Sequence, residues 1–109
     1  MDSILTSIKK LLGIAEDYTA FDQDIILHIN SVFSILHQMG VGPDTTFIIS
    51  GKESTWSQFT TNKDIESLKT LVYLRVRILF DPPASSVLMD AINKTISELE
   101  WRLYSMSNF

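Results

Sequence analysis

The sequence holds no cysteine. Disulfides, thiolate zinc sites, iron–sulfur clusters and cysteine nucleophiles are thereby excluded. Proline and glycine are sparse, at three and four. That is too few for a linker-rich chain, so each is left to act as punctuation between ordered segments. No apolar run approaches the ~20 residues of a membrane span. The opening MDSILTSIKK sets an acid before the apolar residues and the lysines after them, the reverse of a secretory signal. Basic charge is also short: nine Lys and Arg stand against 13 Asp and Glu, a net charge of −4. Free nucleic acid is a poor ligand for such a chain, because phosphate binding needs a concentrated basic surface.

What is present describes one ordinary globular domain over residues 1–109, 45% hydrophobic and 20% charged. Such a chain buries roughly 65% of the surface it exposes unfolded, enough for a core without staples. The charge is uneven. Residues 1–54 carry three lysines and seven acids, whereas residues 55–109 balance. Glu16, Asp17, Asp22 and Asp24 bunch with no basic residue among them. They read as a solvated loop and a helix N-terminus, where acids suit the helix dipole, or as an acidic functional surface.

Hydrophobic periodicity predicts four main helices, about 3–12, 20–39, 63–80 and 86–104. Ile4, Leu5, Ile8, Leu11 and Leu12 share the first apolar face, and Gly13 ends that helix. The second opens on Thr19 as N-cap with Asp22 three residues on, a capping-box spacing. Its core face carries Ile25, Ile26, Ile29, Val32, Phe33, Ile35, Leu36 and Met39, with Leu27, Asn30, Ser31 and Ser34 opposite. Asn62 is the expected N-cap of the third, and Asp81-Pro82-Pro83 stops it. The fourth buries Leu88, Ala91, Ile92, Thr95, Ile96, Leu99 and Leu103. Between the second and third lies an insertion, about 41–61. It contains a strand-like run, Thr46–Ile49, and one helical turn opened by a Thr55–Gln58 box. The expected fold is all-α: a small bundle of about four helices with a long loop or short β-like insertion.

Catalytic patterns are missing. Gly40-Val41-Gly42-Pro43-Asp44-Thr45 follows a helix, so it is no dinucleotide loop, and Gly51-Lys52 lacks the upstream glycine of a phosphate loop. His28 and His37 are nine residues apart on one helix, half a turn out of phase, so they share no metal. Asp24 and His28, four apart, suit a surface ion pair. No enzyme and no cofactor or metal is expected.

Surplus apolar surface is the more informative feature. The third helix carries two stripes, Ile65, Leu68, Val72, Val76 and Leu79 beside Leu71, Leu74 and Ile78, and therefore needs neighbours on two sides. Arg75 projects between them and requires an acid, either internally (Glu98 or another) or across a subunit contact. Trp101 falls on the polar face of the fourth helix near Lys94, Ser97 and Tyr104. It reads as an interface anchor, or as packing beneath the N-terminal helix or the insertion. Phe47, Ile48, Ile49, Trp56 and Phe59 either fold back onto the helices or face a partner. The candidate partner surface is thus Leu71, Leu74, Arg75, Ile78, Trp101, Tyr104, Phe47, Ile48, Ile49 and Trp56.

Several stretches taken together resemble tailed-bacteriophage head–tail connector proteins. They are the run from Phe21 to Phe33, Gly40-Val41-Gly42-Pro43, Thr55-Trp56, the run from Tyr73 to Pro83, and Leu99-Glu100-Trp101-Arg102. The resemblance implies a non-catalytic adaptor at the virion head–tail junction, made in the bacterial host cytoplasm from a phage or prophage. Its copies would form a cyclic homo-oligomer beneath the portal protein, extend the DNA channel and meet the next head-completion or tail protein. DNA would pass without sequence-specific binding, and an acidic lining of Glu16, Asp17, Asp22 and Asp24 would let it slide. The main competing reading is a DNA-binding regulator or packaging-enzyme small subunit. It would use the third and fourth helices as a helix-turn-helix, although acids outnumber bases on the fourth. A basic first helix bound to a membrane through Lys9 and Lys10, and a small hydrolase, are weaker alternatives.

Overall fold

The computed structural model describes residues 3–60 and 64–105. Five helices follow in order: α1 Ile4–Leu11, α2 Asp22–Gln38, α3 Trp56–Phe59, α4 Ile65–Phe80 and α5 Ser86–Ser105. The fold is the expected all-α bundle. The helix α4 lies at its centre, with α2 and α5 packed against it and α1 closing the end over α2 and α4.

Local signals set most boundaries. Ser3 Oγ accepts the Thr6 N–H at 3.3 Å to start α1. Both α1 and α2 end in a Schellman motif. Gly13 and Gly40 take φ of +82° and +81°. The following N–H groups return to the helix, Ile14 to the Lys9 carbonyl and Val41 to the Leu36 carbonyl, each at 2.9 Å. Asp81 ends α4 before the proline pair, and Ser85 accepts the Leu88 N–H at 3.3 Å to open α5.

The start of α2 differs from expectation. Phe21 holds the N-cap position and no side chain caps the helix; Thr19 offers only its carbonyl, to the Asp22 N–H. Asp22 instead turns its carboxylate to Lys9 at 2.8 Å. A buried ammonium has the stronger claim on a carboxylate than a helix N–H that water can reach. The expected cap Asn62 lies outside the described residues, and α4 begins beside Asp64.

Helix α5 buries only Ile92, Ile96 and Leu103, with Leu99 half-buried. Leu88, Ala91 and Thr95, expected inside, are exposed. A helix with one main neighbour buries a narrow i, i+4, i+7, i+11 stripe, and α4 is the main neighbour of α5. Leu79 at the end of α4 is likewise exposed.

The insertion contains no strand among the described residues. One antiparallel bridge, Ser3 to Thr55, and the Ile4 N–H to Ser54 carbonyl bond at 2.9 Å tie it to the start of α1. The Thr55–Gln58 box opens α3 as expected, with Gln58 Oε1 accepting the Thr55 N–H. The strand-like residues pair with a side chain instead. Asn30 on α2 donates Nδ2–H to the Ile49 carbonyl at 2.9 Å and accepts the Ile49 N–H at 2.8 Å. Ile49 is buried, so no water replaces this amide easily. Asn30→Leu is expected to cost about 2–4 kcal/mol in urea unfolding, since it strands a buried donor and acceptor together. A loss under about 1 kcal/mol would show that the loop is held by its aromatic residues alone.

Those aromatic residues form the second anchor. Phe33 of α2 packs on Phe59 (4.8 Å between ring centres), Phe47 (5.2 Å) and Trp56 (6.4 Å). The Trp56 indole N–H donates to Ser7 Oγ at 3.2 Å. The insertion is therefore a folded cover over the α1–α2 end.

Candidate functional site

The acidic cluster is divided by one cation. Lys9 sits at the edge of the α1 apolar stripe, between Leu5 and Leu12, and its residue is only 2% exposed. Its ammonium donates to the Glu16 and Tyr18 carbonyls at 3.0 and 2.7 Å and pairs with Asp22. Two of its three N–H donors are thus taken by backbone carbonyls, and its charge faces the Asp22 carboxylate. Asp22 is thus withdrawn from the cluster, while Glu16, Asp17 and Asp24 remain exposed. Glu16 and Asp17, but not Asp24, border an open hollow of about 550 Å³, lined also by Leu5, Thr6, Lys9, Thr19, Asp22 and Lys52. Burial of Lys9 with Ile4, Leu5 and Ile8 also removes the basis for a membrane-bound first helix, although Leu11 of that face is exposed; among the described residues no helix is long and apolar enough to cross a membrane.

Arg75 finds its acid within the protomer. Its guanidinium engages Glu100 of α5 through Nε and a terminal nitrogen. The partner is Glu100 rather than Glu98, because positions 96 and 100 share the α5 face that meets α4. The pair borders a groove of about 450 Å³, lined among others by Ile35 of α2, Ile78 and Leu79 of α4, and Asn93 and Ile96 of α5.

Of the other candidate contact residues, Leu71, Ile49 and Trp56 are buried in the protomer core. Phe47, Leu74 and Ile78 are half-buried against it. These six were expected at a partner surface. They are occupied internally because α4 does find neighbours on two sides, α2 and α5, and because the insertion folds back. Trp101 and Tyr104, by contrast, are 72% and 67% exposed. Trp101 packs under neither α1 nor the insertion. With Ser97, Glu98 and Arg102 it lines a shallow hollow of about 440 Å³. Ile48 is exposed at the insertion's outer face.

Asp24 and His28 form no ion pair; the His28 ring lies edge-on to Phe80, 6.5 Å between centres, and Phe80 also meets Phe21. No three His, Asp or Glu side chains converge as a metal site among the described residues. Arg102 of α5 donates to Ser67 Oγ at 3.3 Å. That commits one of the two bases a DNA-reading α5 would use and leaves Lys94 facing solvent beside exposed acids.

A family model described as phage connector protein matches residues 4–108. The chain belongs to that family. No curated protein and no solved structure gives a significant match. The connector's role is accordingly structural, in the company of other head and tail proteins of the phage particle.

Sequence reasoning missed two residues that shape these surfaces, Lys9 and Asn30. Lys9 carried a readable signal, a lysine bordering an apolar stripe with acids downstream. Asn30 carried none, since its partner lies 19 residues away in an irregular segment.

Proposed function

We propose that the connector is a ring-forming adaptor. Copies pack side by side beneath the portal, extend the DNA channel, and offer a surface to the next head-completion or tail protein. The observation that carries this is the Trp101–Tyr104 pair, a bulky aromatic surface on α5 left largely exposed among the described residues. Aromatic anchors of this kind dominate binding energy at protein interfaces. A contact between two different faces that closes on itself gives a cyclic assembly. Glu16, Asp17 and Asp24 supply an acidic surface on which passing DNA would not stick.

Negative-stain electron microscopy over a concentration series, with and without portal protein, tests this. Rings with a central hole wide enough for duplex DNA are expected, and Trp101→Ala is expected to shift their assembly to roughly tenfold higher protein concentration or more. A Trp101→Ala protein that melts like the parent but still assembles at the parent's concentration would remove α5 from the interface. Persistent monomers even on portal, together with salt-dependent duplex binding, would overturn the ring and favour a DNA-binding role.

A further inference from the structure

Helix α5 meets α4 through a narrow apolar stripe, Ile92, Ile96, Leu99 and Leu103. Apolar contact is non-directional. A stripe this narrow holds the two helices together better than it fixes the roll of α5 about its own axis. Two polar links near the end of α5 supply the direction. Arg75 of α4 engages Glu100, and Arg102 of α5 donates to Ser67 Oγ at 3.3 Å. Ser67 and Arg75 stand one turn to either side of the buried Leu71 on α4. Ser67 is itself buried and gives its own hydrogen to the Asp64 carboxylate, at 2.9 and 3.0 Å, which leaves its lone pairs for Arg102. The cation changes sides between the links: α4 supplies it in one and α5 in the other. A slip of α5 by one turn would set Arg75 against Ile96 or Tyr104, and neither offers a carboxylate.

Trp101 lies between the two linked residues in sequence. Neighbours in a helix are about 100° apart, so Glu100 and Arg102 leave α5 on opposite sides and Trp101 leaves it away from the stripe. We infer that the two links are positioning pairs: they fix the roll of the last turns of α5 and so hold Trp101 straight out of the protomer, where the ring contact proposed above takes it. The inference rests on that reading. Polar links at a surface add little to stability, yet an anchor already held in place spares the ordering cost of binding. Ser67 separates positioning from contact, because a buried hydroxyl does not touch a neighbouring copy.

The test pairs amide exchange of the free protein with the concentration at which rings form in negative stain. Ser67→Ala cuts one link from the buried side. It is expected to melt like the parent and to exchange the Leu103 and Tyr104 amides faster, with the amides of α2 unchanged. Rings should need roughly three- to tenfold more protein, the range that ordering one loosened side chain costs. Arg102→Ala should behave alike, and Arg102→Lys should recover, because the link uses a single N–H. In a Trp101→Ala background, Ser67→Ala should shift assembly no further, since both changes act through one anchor. Additive shifts would overturn the inference, because general loosening adds. Parent-like exchange in both Ser67→Ala and Arg102→Ala would overturn it as well. Should Ser67→Ala not fold, Arg102→Ala carries the same exchange and background tests. Unaltered protein that forms no rings, on portal or off it, would instead defeat the ring reading, and with it the role given to Trp101.

Discussion

Lys9→Met is expected to destabilise the connector by about 3 kcal/mol in urea unfolding, out of a total that for a domain this size is of order 5–15 kcal/mol. Methionine keeps most of the buried stem and its packing, so the loss isolates the ammonium. Removing it leaves the Asp22 carboxylate without its cation and the Glu16 and Tyr18 carbonyls without their donor. Breaking a buried pair by deleting one partner costs about 3–5 kcal/mol. The lower end applies because the Asp22 side chain retains 22% exposure and can recover some water. Replacing both partners, as in Lys9→Met with Asp22→Leu, should restore part of the loss, because no charge is then left stranded. The deficit should persist in high salt, since screening reaches a buried pair poorly. A cost under about 1 kcal/mol for Lys9→Met would show that the loop simply turns its carbonyls to solvent.

The same residue shows where reading the sequence runs out. Periodicity places Ile4, Leu5 and Ile8 on the buried face of α1, and all three are buried. Lys9 borders that face, but only the return of residues 13–21 across it makes burial tolerable, and an irregular segment has no period to read. The ends of α1, α2 and α4 were legible because Gly13, Gly40 and the proline pair act locally. The N-terminus of α2 was not, because the local preference for a Thr19–Asp22 box loses to a tertiary ion pair. The orientation of Trp101 followed from about 100° per residue, whereas its exposure depended on what else folds over α5. For Arg75 the chemistry demanded an acid, and the packing of α5 on α4 chose Glu100. Propensity thus identified the candidate surface to within a helix face. Which apolar residues remained free of the core was decided by how the insertion returns over α2.

Gly42 controls that return, and Gly42→Ala is expected to be about as damaging as the loss of Lys9, at about 3–4 kcal/mol. Two separate costs combine. Gly42 has φ +97°, a region where an L side chain is disfavoured by about 1–2 kcal/mol. A Cβ there would also stand 2.4 Å from Phe59 Cζ and 2.7 Å from Cε1. The ring has little freedom to yield, because it is buried between Phe33 at 4.8 Å and Phe47 at 5.4 Å. Overpacking of this kind costs about 1–3 kcal/mol. Gly40→Ala is the matched control. Its φ is +81°, yet a Cβ there meets nothing within 4 Å, so only the conformational cost applies. The difference between the two substitutions, measured by thermal or urea unfolding, therefore reports the steric term alone. Equal losses would mean that Phe59 swings out of the way, and with it that the insertion is a looser cover than its aromatic packing implies. A larger loss at Gly42 would place a tight backbone-to-ring contact where the insertion leaves α2, and with it the point from which the aromatic cover is held.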